Sequence, residues 1–410
     1  MQRGLDFIDA GAITDVPGFR AAGVACGIKK SGALDLALVV SDRPCTAAAV
    51  FTTNKIQSPA VTFDRELLRG QPDNIRALVI NSGCANAITG AQGQADAREM
   101  ARLGAEAIDD PAAGVFVMST GVIGQHLPMD RVGHGIRLAT ADLRSDPDAG
   151  HAAARAIMTT DTRPKEAAAR ASIGGVTVTL GGMCKGAGMI HPDMATMLAM
   201  IVTDVAISPT ALESAVRYAA DRSFNAVTID GDASTNDTFV VLANGLAGNT
   251  RIETSNGEDY YSFRDALTAI AAGLAQQIAR DGEGATKFVT ITVRGARSFD
   301  DARHGARVIA TSSLVKTAIY GADANWGRVL AAIGRSGVDL VPERLGLWFD
   351  DLHLVADGAP SVYAEEEARR TLTKPEVTIT VDLGLGDAVA TVWTCDLSHE
   401  YVSINADYRT

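Results

Sequence analysis

The hydrophobic positions of the chain alternate between short strand-like runs and longer helical stretches. Residues 76–80 (RALVI) and 114–118 (GVFVM) have the continuous apolar pattern of buried strands. Each run ends in polar turn residues, Asn81-Ser82-Gly83 after the first and Ser119-Thr120-Gly121 after the second. A further strand is predicted at 197–202. The pattern therefore places polar groups at the ends of at least two buried strands.

Helical periodicity is clear in three alanine-rich stretches, at 95–108, 208–224 and 263–278. The second begins with Ser208 as the expected N-cap and Pro209 at the first helical position. In the third, apolar side chains recur on one face of the helix: Phe263, Leu267, Ile270, Leu274 and Ile278. Such a stripe indicates core packing rather than a cofactor site. Strands alternating with helices predict an α/β fold.

Size and charge narrow the class of protein. At 410 residues, with 47% hydrophobic and 21% charged residues, the chain predicts a globular protein of two or three domains or lobes. A net charge of −12 argues against nucleic acid and anionic membranes as partners. No secretory signal or spanning segment is evident, so a cytoplasmic protein is expected. The five widely spaced cysteines predict reduced thiols, with no disulfide framework, zinc site or other metal centre.

Candidate chemistry centres on residues 185–198, KGAGMIHPDMATML, where a threonine follows a small residue. If the bond between Ala195 and Thr196 breaks, Thr196 gains an α-amino group beside its own hydroxyl. An amine with an ordinary pKa of about 7.7–8.0 can act as base for that hydroxyl, which suggests acyl transfer. The cut would leave pieces 1–195 and 196–410. Because the strand at 197–202 follows directly, the pieces are expected to share a core.

Several neighbouring signals have a functional and a structural interpretation. Glu283, between two glycines, is either a receptor for an ammonium group or a solvated acid at a helix end. Cys184 is interpreted as a packed core residue, and His191 as a residue behind the site. Residues 230–237 (DGDASTND) resemble the start of a calcium loop, but Thr235 stands at the position that requires glycine. We interpret that segment as an ordered turn, and no glycine motif fits a nucleotide site.

Eight segments, in order, resemble the ornithine acetyltransferase family over essentially the whole chain. They are AVFTTNKIQSPAV near residue 50, STGVIGQ at Ser119, AIMTTDTRPK at Ala156, KGAGMIHPDMATML at Lys185, SFNAVTIDGDASTNDT at Ser223, GEGATK at Gly282, GADANWGRVLAAIGRSG at Gly321 and the terminal YVSINADYRT. The resemblance implies a layered α/β sandwich that cleaves itself into two chains, 1–195 and 196–410. It implies a heterotetramer of two of each chain, acting in arginine biosynthesis without a cofactor.

The same resemblance assigns residues to roles. Thr196 would be the nucleophile that takes an acetyl group from N2-acetylornithine and passes it to glutamate, with acetyl-CoA as a further possible donor. Thr120 and Gly121 would form the oxyanion hole. Substrate contacts would come from Thr162, Lys185, Thr196, Glu283, Asn405 and Thr410. Lys185 would receive a carboxylate and Glu283 an ammonium group.

Two positions depart from the family pattern. Asp193 and Cys84 stand where asparagine is usual. A carboxylate at Asp193 would favour the protonated form of the new amine, which predicts slower processing or turnover. A paralogue with another acceptor, a self-processing amidohydrolase or aminopeptidase, and a binding protein with the bond between Ala195 and Thr196 intact are the alternatives.

Overall fold

The computed structural model describes residues 5–191 and 197–407, which form two β-sheets with helices packed against them. The first sheet has nine strands: β1 (Leu5–Ile8), β2 (Phe19–Val24), β3 (Leu36–Phe51), β4 (Ile75–Cys84), β5 (Gly114–Val122), β6 (Lys165–Ile173), β7 (Val176–Lys185), β8 (Leu198–Thr203) and β9 (Thr238–Ala243). The second has six: β10 (Phe288–Ala296), β11 (Gly346–Phe349), β12 (Leu352–Ala356), β13 (Ala359–Pro360), β14 (Glu376–Asp382) and β15 (Ala388–Cys395).

Helices cover these sheets. In chain order they are α1 (Pro59–Gly70), α2 (Gly90–Ala107), α3 (Met129–Ala141), α4 (Pro147–Ala156), α5 (Pro209–Asp221), α6 (Glu258–Arg280), α7 (Phe299–Ala310), α8 (Ser313–Tyr320), α9 (Trp326–Gly334), α10 (Glu365–Leu372) and α11 (His399–Asp407). Helices α5 and α6 pack together against the first sheet, and α1 and α2 contact β5. Helix α7 contacts β10 and β15 of the second sheet. The layered α/β architecture is thus confirmed. No helix within the described ranges is long and apolar enough to cross a membrane.

The first sheet runs in the order β1-β6-β7-β8-β9-β3-β4-β5, with β2 on β3. The long strand β3 joins its two halves: residues 36–40 pair with β4, and residues 46–51 pair with β9. Two neighbouring pairs, β4 with β5 and β8 with β9, are parallel. The predicted turns at 81–83 and 119–121 are wrong, because both segments continue their strands to Cys84 and Val122. The polar residues still lie side by side, since the parallel pairing of β4 with β5 extends through them.

Most of the predicted elements are confirmed. The runs at 76–80 and 114–118 lie within β4 and β5, and the stripe predicted at 263–278 is buried on α6. Ser208 caps α5, its hydroxyl accepting the Ala211 N–H at 3.3 Å, although the helix ends at Asp221 rather than residue 224. Helix α2 begins at Gly90, five residues before the predicted start. The low helix propensity of Gly90 and Gly93 obscured the helical pattern of its first turn.

Strands from both sides of the predicted cleavage position lie in the first sheet. Strands β8 and β9, which follow residue 196, lie between β7 and β3, which precede residue 195. Eighteen paired positions hold these strands in place, six each between β7 and β8, β8 and β9, and β9 and β3. The six-stranded sheet, by contrast, is built entirely from residues after 287.

Candidate active site

The segment predicted to form the oxyanion hole, residues 119–121, is the last part of strand β5 and pairs with residues 81–83 of β4. Gly121 pairs with Gly83, and its φ of +128° is a conformation that L side chains rarely adopt. A Cβ at Gly121 would lie 2.4 Å from the Gly83 carbonyl carbon. The Ser119 hydroxyl donates to Asn81 Oδ1 at 2.6 Å. Close backbone contact and this bond therefore fix the direction of the Thr120-Gly121 peptide.

Lys185, the last residue of β7, reaches this segment. Its Nζ lies 3.2 Å from Thr120 Oγ1, and both residues are buried. Burial lowers the pKa of Lys185, while the charge of Asp161 acts in the opposite direction. Within residues 5–191 and 197–407, no carboxylate lies at ion-pair distance from Lys185 Nζ. An ammonium group without a direct counterion is suited to stabilise negative charge that arises in the cavity.

A buried charge cluster lies behind Lys185. Lys165 Nζ, fully buried, lies 2.6 Å from Asp161 Oδ1 and 2.6 Å from Asp281 Oδ2. Burial would raise the pKa of Asp161, but Lys185 and Lys165 outweigh it and hold that pKa at about 2. Asp161 Oδ1 also accepts the Gly186 N–H at 2.7 Å. The cluster thus fixes the loop that follows Lys185.

Thr162 is not brought into the site. Its side chain is exposed, its hydroxyl donates to Asp281 Oδ1, and its N–H donates to Asp281 Oδ2 at 3.0 Å. Because Asp161 turns inward to Lys165, the neighbouring Thr162 faces outward. Thr159 and Thr160 of the same segment line the cavity instead.

Glu283 and Asn405 meet on the opposite side. Asn405 Nδ2, on α11, donates to Glu283 Oε2 at 2.8 Å. The Glu283 N–H donates to Ala187 O at 2.8 Å, and a Cβ at Gly188 would lie only 2.3 Å from Glu283 Oε2. The carboxylate therefore packs directly on the loop 186–188. The interpretation of Glu283 as a solvated acid is wrong, since only 9% of the residue is exposed.

A cavity of about 130 Å³ connects these groups. The predicted residues that line it are Thr120, Gly121, Lys185, Glu283 and Asn405. Ala195, Thr196, Thr410 and Asp193 lie outside the described residues. Sequence reasoning did not single out Thr159, Thr160, Met189, Asp230 or Tyr401, which also line the cavity. Tyr401 could have been found, since it precedes Asn405 by four residues and so shares its helix face.

The segment at 230–237 is an ordered turn, as predicted, and it contributes to the site. Asp230 accepts the N–H groups of Met189 at 2.6 Å and of Ile190 at 2.9 Å, which ties it to the loop after Lys185. Asn236 Nδ2 donates to Ser119 O at 2.8 Å and to Ala85 O at 2.7 Å. The turn therefore holds two cavity walls at once.

The remaining candidates lie behind the cavity. Cys184 is fully buried and burial raises the pKa of its thiol, so its packing role is confirmed. Cys84 is also buried, with its sulfur 3.3 Å from Gln125 O. His191 Nδ1 lies 3.3 Å from Thr228 Oγ1 and does not line the cavity. Residues 5–191 and 197–407 contain no cluster of three metal-ligating side chains.

Hydrogen-bond donors, a buried lysine and a carboxylate surround one small cavity in a layered α/β fold, an arrangement suited to an enzyme that stabilises developing negative charge. The chain belongs to the ArgJ family, whose model matches residues 20–410. Proteins named arginine biosynthesis bifunctional protein ArgJ are 53% identical over 403 residues in Symbiobacterium thermophilum and 52% identical over 400 residues in Geobacter sulfurreducens. The alignments cover 98% and 97% of this chain, and 99% and 100% of those proteins.

A solved structure agrees with this assignment. The crystal structure of the protein of the same name from Bacillus halodurans is 43% identical to this chain, with a TM-score of 0.51. The match covers 100% of that crystallised chain but 52% of the present one.

Proposed function

We propose that the protein is a self-cleaving acetyltransferase of arginine biosynthesis that moves the acetyl group of N2-acetylornithine to glutamate. The observation that carries the proposal is the composition of the cavity. Thr120, Gly121 and Lys185 come from the predicted piece 1–195, whereas Glu283 and Asn405 come from 196–410. These five residues, distant in sequence, supply hydrogen-bond donors, a cation and a carboxylate to one small space.

In the proposed reaction, the Thr196 hydroxyl attacks the acetyl carbonyl and its α-amine takes the hydroxyl proton. The Thr120 hydroxyl and the Gly121 N–H donate to the oxyanion that forms. The C–N bond then breaks, and the ornithine nitrogen leaves with a proton from the Thr196 ammonium. The amine of glutamate attacks the resulting acetyl ester, which returns the Thr196 hydroxyl.

Substrate recognition follows from the charges of the lining. Glu283, held by Asn405, would receive the side-chain ammonium of acetylornithine. Lys185 has three N–H donors, of which one is directed at Thr120, so a substrate carboxylate could accept from the others. We assign the polar contacts of the segment 156–165 to Thr159 and Thr160 rather than to Thr162.

Self-cleavage is supported by the length of the Bacillus halodurans chain. That crystallised chain matches 52% of the present chain over its own full length. Residues 196–410 make up 215 of 410 residues, which is the same share. A relative whose chain in the crystal has half the length of the precursor is expected if the family is cut near residue 195.

Intact mass spectrometry tests both parts of the proposal. Purified protein should give two masses, with the second piece starting at Thr196, and acetylornithine should add one acetyl group to that piece. Adding glutamate should then remove the acetyl group and release acetylglutamate. Release of free acetate at the same rate with or without glutamate would instead identify an amidohydrolase. A fully active, uncut chain would exclude the mechanism.

Acetyl-CoA is proposed as a second donor because the relatives carry the word bifunctional in their names. Formation of acetylglutamate from acetyl-CoA and glutamate, without acetylornithine, would support this. The proposed heterotetramer of two copies of each piece is tested by the native mass of the cleaved protein.

A further inference from the structure

The second half of β3 is an edge strand. Its residues 46–51 pair with β9 on one side, whereas its pairing with β4 ends at Cys45. In an antiparallel pair, the backbone groups of every second residue point toward the partner strand. Thr52 N donates to Asp237 O at 3.0 Å, so the even-numbered residues face β9. The odd-numbered residues therefore direct their N–H and C=O groups to the open side.

This open side is largely unpaired. Ala47 N donates to Pro72 O at 2.7 Å, as the alternation requires. In the described part of the chain, no hydrogen bond uses the N–H or C=O group of Ala49 or Phe51. Both residues are only half-buried. An edge with unpaired backbone groups is a template for one further strand.

A groove of about 1000 Å³ runs along this edge, lined by residues 47–53 and by side chains of α1 and α5. The two helices lie on opposite faces of the sheet. Ala48 belongs to the same core cluster as Leu212 of α5, whereas Ala47 belongs to a separate cluster that includes Leu68 of α1. A strand added at this edge would thus have one helix on each face, as an interior strand does.

The charges of the groove favour an acidic occupant. The groove is lined by the arginines Arg65, Arg69, Arg217 and Arg303 and by the acids Glu213 and Asp221. The arginines of α5 and α7 form ion pairs with these acids. Among the described residues, neither Arg65 nor Arg69 of α1 has an ion pair, and the buried Arg65 Nε has no hydrogen-bond partner. The Arg65 guanidinium carbon lies 5.4 Å from the centre of the Phe51 ring, beside the open edge. Two unpaired cations therefore flank this edge in a chain of net charge −12.

We propose that this groove binds an extended acidic segment of another protein, which adds to β3 as a strand. The backbone of that segment pairs with Ala49 and Phe51, and every second side chain faces α1, where Arg65 and Arg69 receive carboxylates. The groove and the catalytic cavity have no lining residue in common within the described ranges. The binding site is therefore separate from the proposed acetyl transfer and does not depend on it.

Peptide binding tests the proposal directly. The probe is a fluorescein-labelled hexapeptide, Glu-Val-Glu-Val-Glu-Val, titrated with the protein at low ionic strength and followed by fluorescence anisotropy. We expect saturable binding, and binding at least about 10-fold weaker when lysine replaces each glutamate of the peptide. Absence of saturable binding by the acidic peptide, or equal binding of the two peptides, would overturn the proposal.

Substitutions locate the peptide on the protein. Arg69→Glu should raise the Kd at least about 10-fold, because it places like charges opposite each other, whereas Arg335→Glu, an exposed position outside the groove, should leave it unchanged. Ala49→Pro removes an outward N–H without removing a bond to β9, and it should weaken binding. The Tm of each variant shows that it is folded. Unchanged affinity in Arg69→Glu or in folded Ala49→Pro would contradict the site.

Backbone methylation of the peptide gives the same information without altering the protein. One peptide is N-methylated at its three glutamates and another at its three valines. Only one of these two sets of N–H groups can face β3 in an added strand, so one methylated peptide should bind and the other should not. Equal affinities of the two methylated peptides would exclude strand addition, even if Ala49→Pro does not fold.

A second copy of the chain is the other candidate occupant of the groove. In that case the acidic peptide would not bind to the native assembly, and Arg69→Glu would lower the native mass in size exclusion. That result would overturn the proposal in favour of an interface between copies.

Discussion

The contact between Lys185 and Thr120 gives the cavity a directional hydrogen bond. A lysine ammonium has three donors and no acceptor, so Thr120 Oγ1 must accept from it. The proton of the Thr120 hydroxyl is then left for another acceptor. Since Thr120 lines the cavity, that acceptor is the oxyanion in the proposed reaction. Lys185 would therefore act partly through Thr120.

A double-mutant cycle tests this coupling. Thr120→Ala should lower turnover by about 100- to 1000-fold on fully cleaved enzyme, as loss of one oxyanion donor does elsewhere. Lys185→Met should lower kcat as well, and the double variant should be less impaired than the product of the two effects, with a coupling of about 0.5–3 kcal/mol. Independent effects, with Lys185→Met changing only KM, would restrict Lys185 to substrate binding.

Glu283 should control affinity for acetylornithine. Glu283→Gln keeps the shape of the side chain and an acceptor for Asn405, but it removes the charge that pairs with the ammonium group. We expect KM to rise by an amount that corresponds to about 2–5 kcal/mol, with self-cleavage intact. Steady-state kinetics check this, with Glu400→Gln, an exposed acid at the start of α11, as the control. Identical KM values for the two variants would contradict the assignment.

Among the elements, the loop 186–188 brings the two sides of the cavity together. It follows Lys185 and packs on Glu283, where Gly188 leaves no space for a Cβ. Gly188→Ala should displace the carboxylate and raise the KM for acetylornithine. Gly273→Ala, within α6 and with open space around it, should instead stabilise the protein by about 0.5–1 kcal/mol. Kinetics and Tm of both variants distinguish a clash with Glu283 from the general effect of replacing a glycine. Unaltered kinetics in Gly188→Ala would show that the loop moves to accommodate the Cβ and would contradict the prediction.

The charge cluster at the start of β6 should be a major source of stability. Lys165→Met would leave Asp161 and Asp281 without their shared cation, which should cost about 3–5 kcal/mol. The low pKa of Asp161 gives a contribution that is present above its unfolded pKa of about 3.9 and lost as the pH falls through about 2. The gap in Tm between variant and wild type should therefore narrow below pH 4. A constant gap would assign the loss to packing alone.

The sequence predicted those features that depend on local pattern. The strands at 76–80 and 114–118 followed from hydrophobic runs, and the family resemblance located Thr120 and Gly121. The hydrophobic runs did not show that both strands continue through the polar residues after them, because backbone pairing between β4 and β5 extends them. Thr162 could not be separated from Thr159 and Thr160, because the inward turn of Asp161 toward Lys165 decides which threonine faces the cavity. The contact between Asp237 and Met197 could not be predicted from the sequence, because the two residues are 40 positions apart and are brought together by the pairing of β8 with β9.

At the scale of the whole molecule, cleavage should not separate the pieces. Strands β8 and β9 lie between β7 and β3, so separation would break hydrogen-bonded pairing on both sides. We expect the two pieces to elute together in native size exclusion and to separate only in denaturant. Sequencing of the newly formed N-terminus should begin at Thr196. Dissociation in mild buffer would contradict the shared sheet.

The interleaved sheet also sets an order of events. An unbroken connection between β7 and β8 would help the central strands pair with their neighbours during folding, and the completed pairing would hold them in place afterwards. Intact precursor should regain its native state after dilution from urea. The two cleaved pieces would first have to associate, with β8 and β9 inserting between β7 and β3. If the chain is cut as proposed, unfolding of the matured enzyme should therefore be effectively irreversible, whereas unfolding of the precursor should be reversible.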